Sequence, residues 1–156
     1  MSLITQGTEF DQVLITVKGS QRDAHGEEDQ IELFTQGRRY TKNGIHYITY
    51  QESEISGMEG ATTLLKIYTD HVTLVRMGGI DQRQEFRLGK RCRSEYITPY
   101  GTMRLSVHTT RLVMNRTEDN SQVTGIDMEY ELEIDGQWQS ANTLAVHIQG
   151  DKRNGH

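Results

Sequence analysis

Over residues 126–134, apolar and acidic residues trade places one for one. Ile126, Met128, Tyr130, Leu132 and Ile134 are separated by Asp127, Glu129, Glu131 and Glu133. An extended strand sends successive side chains to opposite faces, so this segment has an oily face and an acidic face. The same period of two returns in Val13, Ile15 and Val17, in Met103, Leu105 and Val107, and in Leu144, Val146 and Ile148. No segment holds a helical period over a dozen residues. A chain patterned this way buries one side of each strand and wets the other, the mark of antiparallel sheet. A hydrophobic content of 34% suits such sheets. The single proline, Pro99, leaves long strands uninterrupted, since proline cannot donate to a ladder.

Turn signals divide the chain into about ten strands. Asn43-Gly44 and Asp135-Gly136 are hairpin dipeptides, whose residues tolerate positive φ. Thr69-Asp70, Gly78-Gly79 and Pro99-Tyr100-Gly101 mark further turns. The polar stretch 19–29 reads as a flexible loop, residues 1–10 as a loose arm, and 150–156 as a frayed tail. An open sheet of ten strands tends to curl or close, and closure removes aggregation-prone edges. The expected fold is all-β: an antiparallel, meandering β-barrel in one domain over 1–156, with an ordered core of about 11–150. A chain of 156 residues buries about 68–70% of its unfolded surface, enough for a sizeable core.

The net charge of −5 argues against nonspecific contact with nucleic acid or an anionic membrane. No apolar run approaches the ~20 residues of a transmembrane helix, and the N-terminus does not read as a signal peptide. The lone Cys92 makes no internal disulfide, so the expected location is the cytoplasm. The sequon at Asn115 is then irrelevant to glycosylation.

Few constellations carry chemistry. The six histidines show neither an H-x-H nor an H-E-x-x-H spacing. Cys92 sits among Lys90, Arg91 and Arg93 with no histidine near it in sequence, and reads as a spectator thiol. The same basic residues, with Arg87, read as a solvated loop rather than a phosphate site. Glu27, Glu28 and Asp29 read as a solvated loop rather than a cation site. Alternate residues on one strand face lie about 7 Å apart, a loose fit for one small ion. The acidic stripe of 127–133 therefore reads as a wet outer face that blocks edge pairing or meets basic cross-strand partners. No metal and no cofactor is expected.

The polar residues at inward parity are more informative. Arg76 shares a face with Val72 and Leu74, Glu52 with Ile48 and Tyr50, and Lys66 with Leu64. A charge facing a barrel interior is costly unless paired or wet. Arg76 and Glu52 are expected either to pair as a plug at one end or to line a solvated mouth. Trp138 joins that plug or covers a hairpin.

These segments also carry a resemblance. The stretches YITYQE at 47–52, GATTLLKI at 60–67 and VTLVRMG at 72–78 resemble the DUF1934 family, the YwiB-like group of small uncharacterised bacterial proteins. Phe86 with Gly89, Tyr100-Gly101 before Leu105, and the 125–132 strand with Tyr130 fit the same family, so the resemblance runs from Val13 to Ile148. It implies a calycin-like, or lipocalin-like, β-barrel and no established activity, substrate or catalytic residue. Calycins often hold a small apolar ligand, which is an analogy at the level of fold. Many also pack an arginine at the closed end, which favours the plug reading of Arg76.

Three functions are open to such a chain, the third being an enzyme that uses Glu52 or Arg76 in the barrel mouth. The first is a cytoplasmic barrel that binds a small, mostly apolar ligand, with Tyr47, Tyr50, Glu52, Lys66, Arg76, Met103 and Tyr130 lining its interior or mouth. The second is a filled barrel with a structural role, acting through a protein partner or a homodimer. An enzyme would need a perturbed carboxylate beside a nucleophile or a substrate-sized cleft, and the sequence shows neither.

Overall fold

The computed structural model describes residues 10–150. The ten strands are β1 (Asp11–Asp23), β2 (Glu28–Lys42), β3 (Ile45–Gln51), β4 (Thr62–Ile67), β5 (His71–Met77), β6 (Asp81–Arg87), β7 (Arg91–Thr98), β8 (Gly101–Arg116), β9 (Val123–Ile134) and β10 (Gln137–Gly150). Each pairs antiparallel with its neighbour in sequence, and β1 pairs with β10 to close the barrel. This is the meander that the hairpin signals imply. Asn43 and Gly44 have φ of 54° and 79°, Asp135 and Gly136 of 50° and 85°, the left-handed pairs of tight two-residue hairpins. A 3-10 turn, Glu54–Ser56, lies between β3 and β4, capped by the Ser53 side chain. Among the described residues no helix is long and apolar enough to cross a membrane. The expected arm and tail lie largely outside the described residues.

The strand faces follow the alternation. Val13, Ile15, Ile48, Ile67, Val72, Ile126 and Ile148 are almost fully buried in the barrel interior, each contributing about 1.5–3 kcal/mol of hydrophobic stabilisation. Gly37 permits a close approach in this core. A Cβ there would stand 2.4 Å from Ile15 Cδ1 and 2.5 Å from the Thr49 carbonyl oxygen. On β8 the inward set changes parity, from Leu105, Val107 and Thr109 to Leu112 and Met114. A register shift between Thr109 and Arg111 absorbs the extra residue, as a β-bulge does.

The outer face of β9 is a wet ladder, as its acidic stripe predicts. Glu133 pairs with Arg91 at 2.8 Å and Glu129 with Arg111 at 3.8 Å. Asp127 accepts from Asn115, and Glu131 accepts from the Trp138 indole N–H at 2.8 Å. Trp138 therefore lies over the outside of the β9–β10 hairpin rather than in a plug.

The expected loop over 19–29 is corrected. β1 runs on to Asp23 and β2 starts at Glu28, so only the turn between them is irregular. This polar hairpin is held by its neighbour instead of by apolar burial. Gly19 to Asp23 continue the ladder with Leu144 to Ser140 of β10, and Arg22 pairs with Glu28 at 2.9 Å. Among the described residues no group of acidic, histidine and cysteine side chains could hold a metal ion.

Candidate functional site

The two ends of the barrel differ. At the end where β3 and β9 begin, the interior is filled by Val13, Ile48, Ile67 and Val123, and buried His46 lies with them. Thr41 Oγ1 stands 3.3 Å from His46 Nδ1, and Arg116 Nη1 stands 3.4 Å from Nε2. Burial, then the nearby charges of Arg116 and Arg39, lower the His46 pKa. These groups hold it neutral at ordinary pH.

At the opposite end, where β5 and β9 finish, the interior opens into a cavity of about 270 Å³. Its walls are mostly apolar, with Leu74, Phe86, Leu105, Leu132 and Leu144 among them. Strand geometry explains why room remains. Ten strands enclose more than an eight-stranded barrel, which side chains just fill. In addition, β6 and β7 are in register only at Asp81–Ile97 and Gln82–Tyr96, and then splay. Buried Gln84 ties the splayed strands together. Its Nε2 donates to the carbonyls of Glu85 and Cys92, and its Oε1 accepts from Ser94. Cys92 lies on β7, half-buried, rather than in a loop.

The polar side of the cavity is built from Arg76, Gln82, Tyr96 and Tyr130. Arg76 Nη1 donates to Gln82 Oε1 at 3.0 Å. Its Nε lies 4.0 Å from Glu52 Oε2, an ion pair without a hydrogen bond, and is buried with no hydrogen-bond partner among the described residues. Glu52, whose side chain is 2% exposed, is held by the Thr63 hydroxyl, which donates to the same oxygen. The fully buried Thr63 side chain on β4 and Tyr50 on β3 complete this group. Burial, then the Glu52 charge, raises the Tyr50 pKa far above its ordinary value. Burial raises that of Tyr130 as well, so both phenols keep their protons. Tyr130 also packs edge-on against Phe86, with ring centroids 5.1 Å apart.

Of the seven residues expected to line the interior, Arg76, Met103 and Tyr130 line the cavity. Glu52 and Tyr50 stand behind Arg76 as the expected pair and its support. Arg76 does not plug the filled end; Arg39 and Arg116 are the arginines near His46 there. Tyr47 and Lys66 are corrected. On β3 the buried residues are His46, Ile48 and Tyr50, and on β4 they are Thr63, Leu65 and Ile67. Tyr47 and Lys66 therefore face outward, where they are cross-strand partners, and Tyr47 stacks on Tyr40 at 4.6 Å. Leu64 lies on that outer face as well, so sharing its parity places Lys66 outside. Sequence reading missed Gln82, Gln84 and Tyr96. Their alternation with Phe86 on β6 and with Ser94 on β7 was the available signal, but glutamine at an inward position does not look inward.

Comparison with known proteins agrees with this fold. The chain matches the solved "Crystal structure of ywiB protein from Bacillus subtilis" with a TM-score of 0.78 over 96% of this chain and 99% of that one, at 18% identity. That likeness shows a shared fold. In sequence it is 21% identical over 125 residues to the "Uncharacterized beta-barrel protein YwiB" of Bacillus subtilis (strain 168), covering 80% of this chain and 84% of that protein. The sequence profile described as "Domain of unknown function (DUF1934)" matches residues 15–146, and a match over most of the length means that this β-barrel belongs to the DUF1934 family.

Proposed function

We propose that this protein is a binding module that holds a small, mostly apolar molecule in the open end of its barrel. The observation that carries the reading is the asymmetry of the interior. One end is packed with β-branched side chains, whereas the other keeps about 270 Å³ open between apolar walls and a few polar groups. Small-molecule sites have this composition, apolar surface with a few placed polar groups. A filled barrel with a purely structural role needs no such space. The cytoplasm is the proposed location, since the lone thiol Cys92 needs no oxidising compartment.

The test is a titration with 1-octanol followed by methyl NMR. Saturable shifts confined to Leu74, Leu105, Leu132 and Leu144, abolished in a Leu144→Trp variant that fills the cavity, are the expected result. Shifts that grow linearly, or that spread over the outer face, contradict the reading.

A further inference from the structure

We propose that the cavity selects a ligand whose polar head is an uncharged hydrogen-bond acceptor, such as an amide or ketone carbonyl, on an apolar body, in preference to a carboxylic acid. This inference rests on the reading of the cavity as a ligand site.

The first argument is charge. Among the described residues, Arg76 is the cation that lines the cavity, and no carboxylate lines it. Its charge is already matched by Glu52, 4.0 Å away and almost wholly buried. The pair is neutral as it stands. A carboxylate docked on Arg76 would add a second anion to one cation. It would lie roughly 7 Å from Glu52, taking the ion-pair distance plus one hydrogen bond of about 3 Å. At an effective dielectric of about 20, that repulsion cancels roughly half of the attraction to Arg76, so a carboxylate binds roughly fifty-fold more weakly than it would to an unpaired arginine. An ionised head must also shed its water to enter an apolar chamber, and an amide sheds much less.

The second argument is the direction of the hydrogen bonds. Gln82 has given its oxygen to Arg76, which leaves its NH₂ as the group to offer. Gln84, which also lines the cavity, has its oxygen occupied by Ser94 and its nitrogen by two carbonyls. The hydroxyls of Tyr96 and Tyr130 have no hydrogen-bond partner among the described residues, and both side chains line the cavity. Arg76, Gln82 and the two phenols thus form a wall rich in donors, and a carbonyl oxygen accepts from such a wall without bringing a charge.

The third argument is size. A volume of about 270 Å³, filled at the packing density of protein interiors, takes about ten heavy atoms. Octanamide and octanoate both have that size and differ chiefly in head-group charge.

The experiment is calorimetric titration of each compound at pH 8, where octanoate is ionised, into wild-type protein, E52Q and Leu144→Trp. The expected result is that wild type binds octanamide at least tenfold tighter than octanoate. E52Q, in which Arg76 is no longer neutralised, should shift the ratio toward octanoate by at least tenfold, and Leu144→Trp should bind neither. Equal or tighter binding of octanoate by wild type overturns the uncharged head while leaving the cavity as a ligand site. Absence of binding by either compound at millimolar concentration overturns both. The wild-type comparison decides the matter even where E52Q does not fold.

Discussion

Replacing Ile48 with alanine is expected to cost far more than replacing Leu144, although leucine and isoleucine are the same size. Ile48 is 0% exposed and sits in the filled half of the barrel. Its replacement removes three carbon groups, worth about 2.4 kcal/mol at roughly 0.8 kcal/mol each. It also leaves a void of about 80 Å³, worth up to about 2 kcal/mol where the surroundings do not relax. Partial relaxation puts the expected loss at about 3–4 kcal/mol. Leu144 is half-buried and borders space that is already empty. Its truncation enlarges an existing chamber, and the removed carbons had given up only part of their water. About half of the transfer term remains, or about 1 kcal/mol. Urea unfolding of both variants measures the difference, with an unchanged m-value as the check that each transition stays two-state. Equal losses would refute the reasoning, because they would mean that the two halves of the interior are packed alike.

Gly37→Ala should lose about 1–3 kcal/mol in the same assay. Its new Cβ would stand 2.5 Å from a backbone carbonyl oxygen that cannot rotate away. Arg76→Ala should lose about 3 kcal/mol, the lower part of the range for a broken buried pair, because its own side chain is one-fifth exposed while that of Glu52 is almost wholly buried. Adding Glu52→Gln to that variant should recover much of the loss, and a double variant less stable than Arg76→Ala would contradict the pairing. Stability should also fall as pH drops from about 6.5, the ordinary histidine value, because the folded-state pKa of His46 is lowered by burial, Arg116 and Arg39. The unfolded chain then takes up the proton first, so stability is present above that pH and is lost below it. His46→Gln should flatten this slope between pH 5 and 7, and an unchanged slope in a pH-dependent unfolding series would contradict the assignment.

The architecture was legible because the meander needs only local signals. Asn43-Gly44 and Asp135-Gly136 adopt the positive φ values that their side chains tolerate, and β9 buries Ile126 and Met128 as its alternation requires. What escaped was what depends on non-local support. The strands through 19–23 and 28–30 have no apolar alternation; 19–23 extend because β10 offers a ladder beside them, and 28–30 then pair with β1 in turn. Face assignment failed on β4 for a different reason. Leu64 and Leu65 are adjacent and equally apolar, and a one-residue choice between them inverts the whole strand. Taking the face of Leu64 as inward placed Lys66 in the interior, whereas Leu65 is the buried one. The bulge on β8 left a readable trace, since Val107 and Leu112 cannot share a face on a regular strand. Gln82 and Gln84 left only their parity with Phe86, which does not by itself mark an amide as inward, because the reason for a buried amide lies in the strands it ties.

The central claim is that the open end of the barrel is a ligand site. Native mass spectrometry of protein purified from its own host, followed by denaturation and extraction of small molecules, tests it most directly. The account predicts a co-purifying, predominantly apolar compound of about ten heavy atoms, lost when Leu144→Trp fills the chamber. Wild-type protein that carries nothing, and that shows the same mass and the same thermal stability as Leu144→Trp across a panel of such compounds, would contradict it.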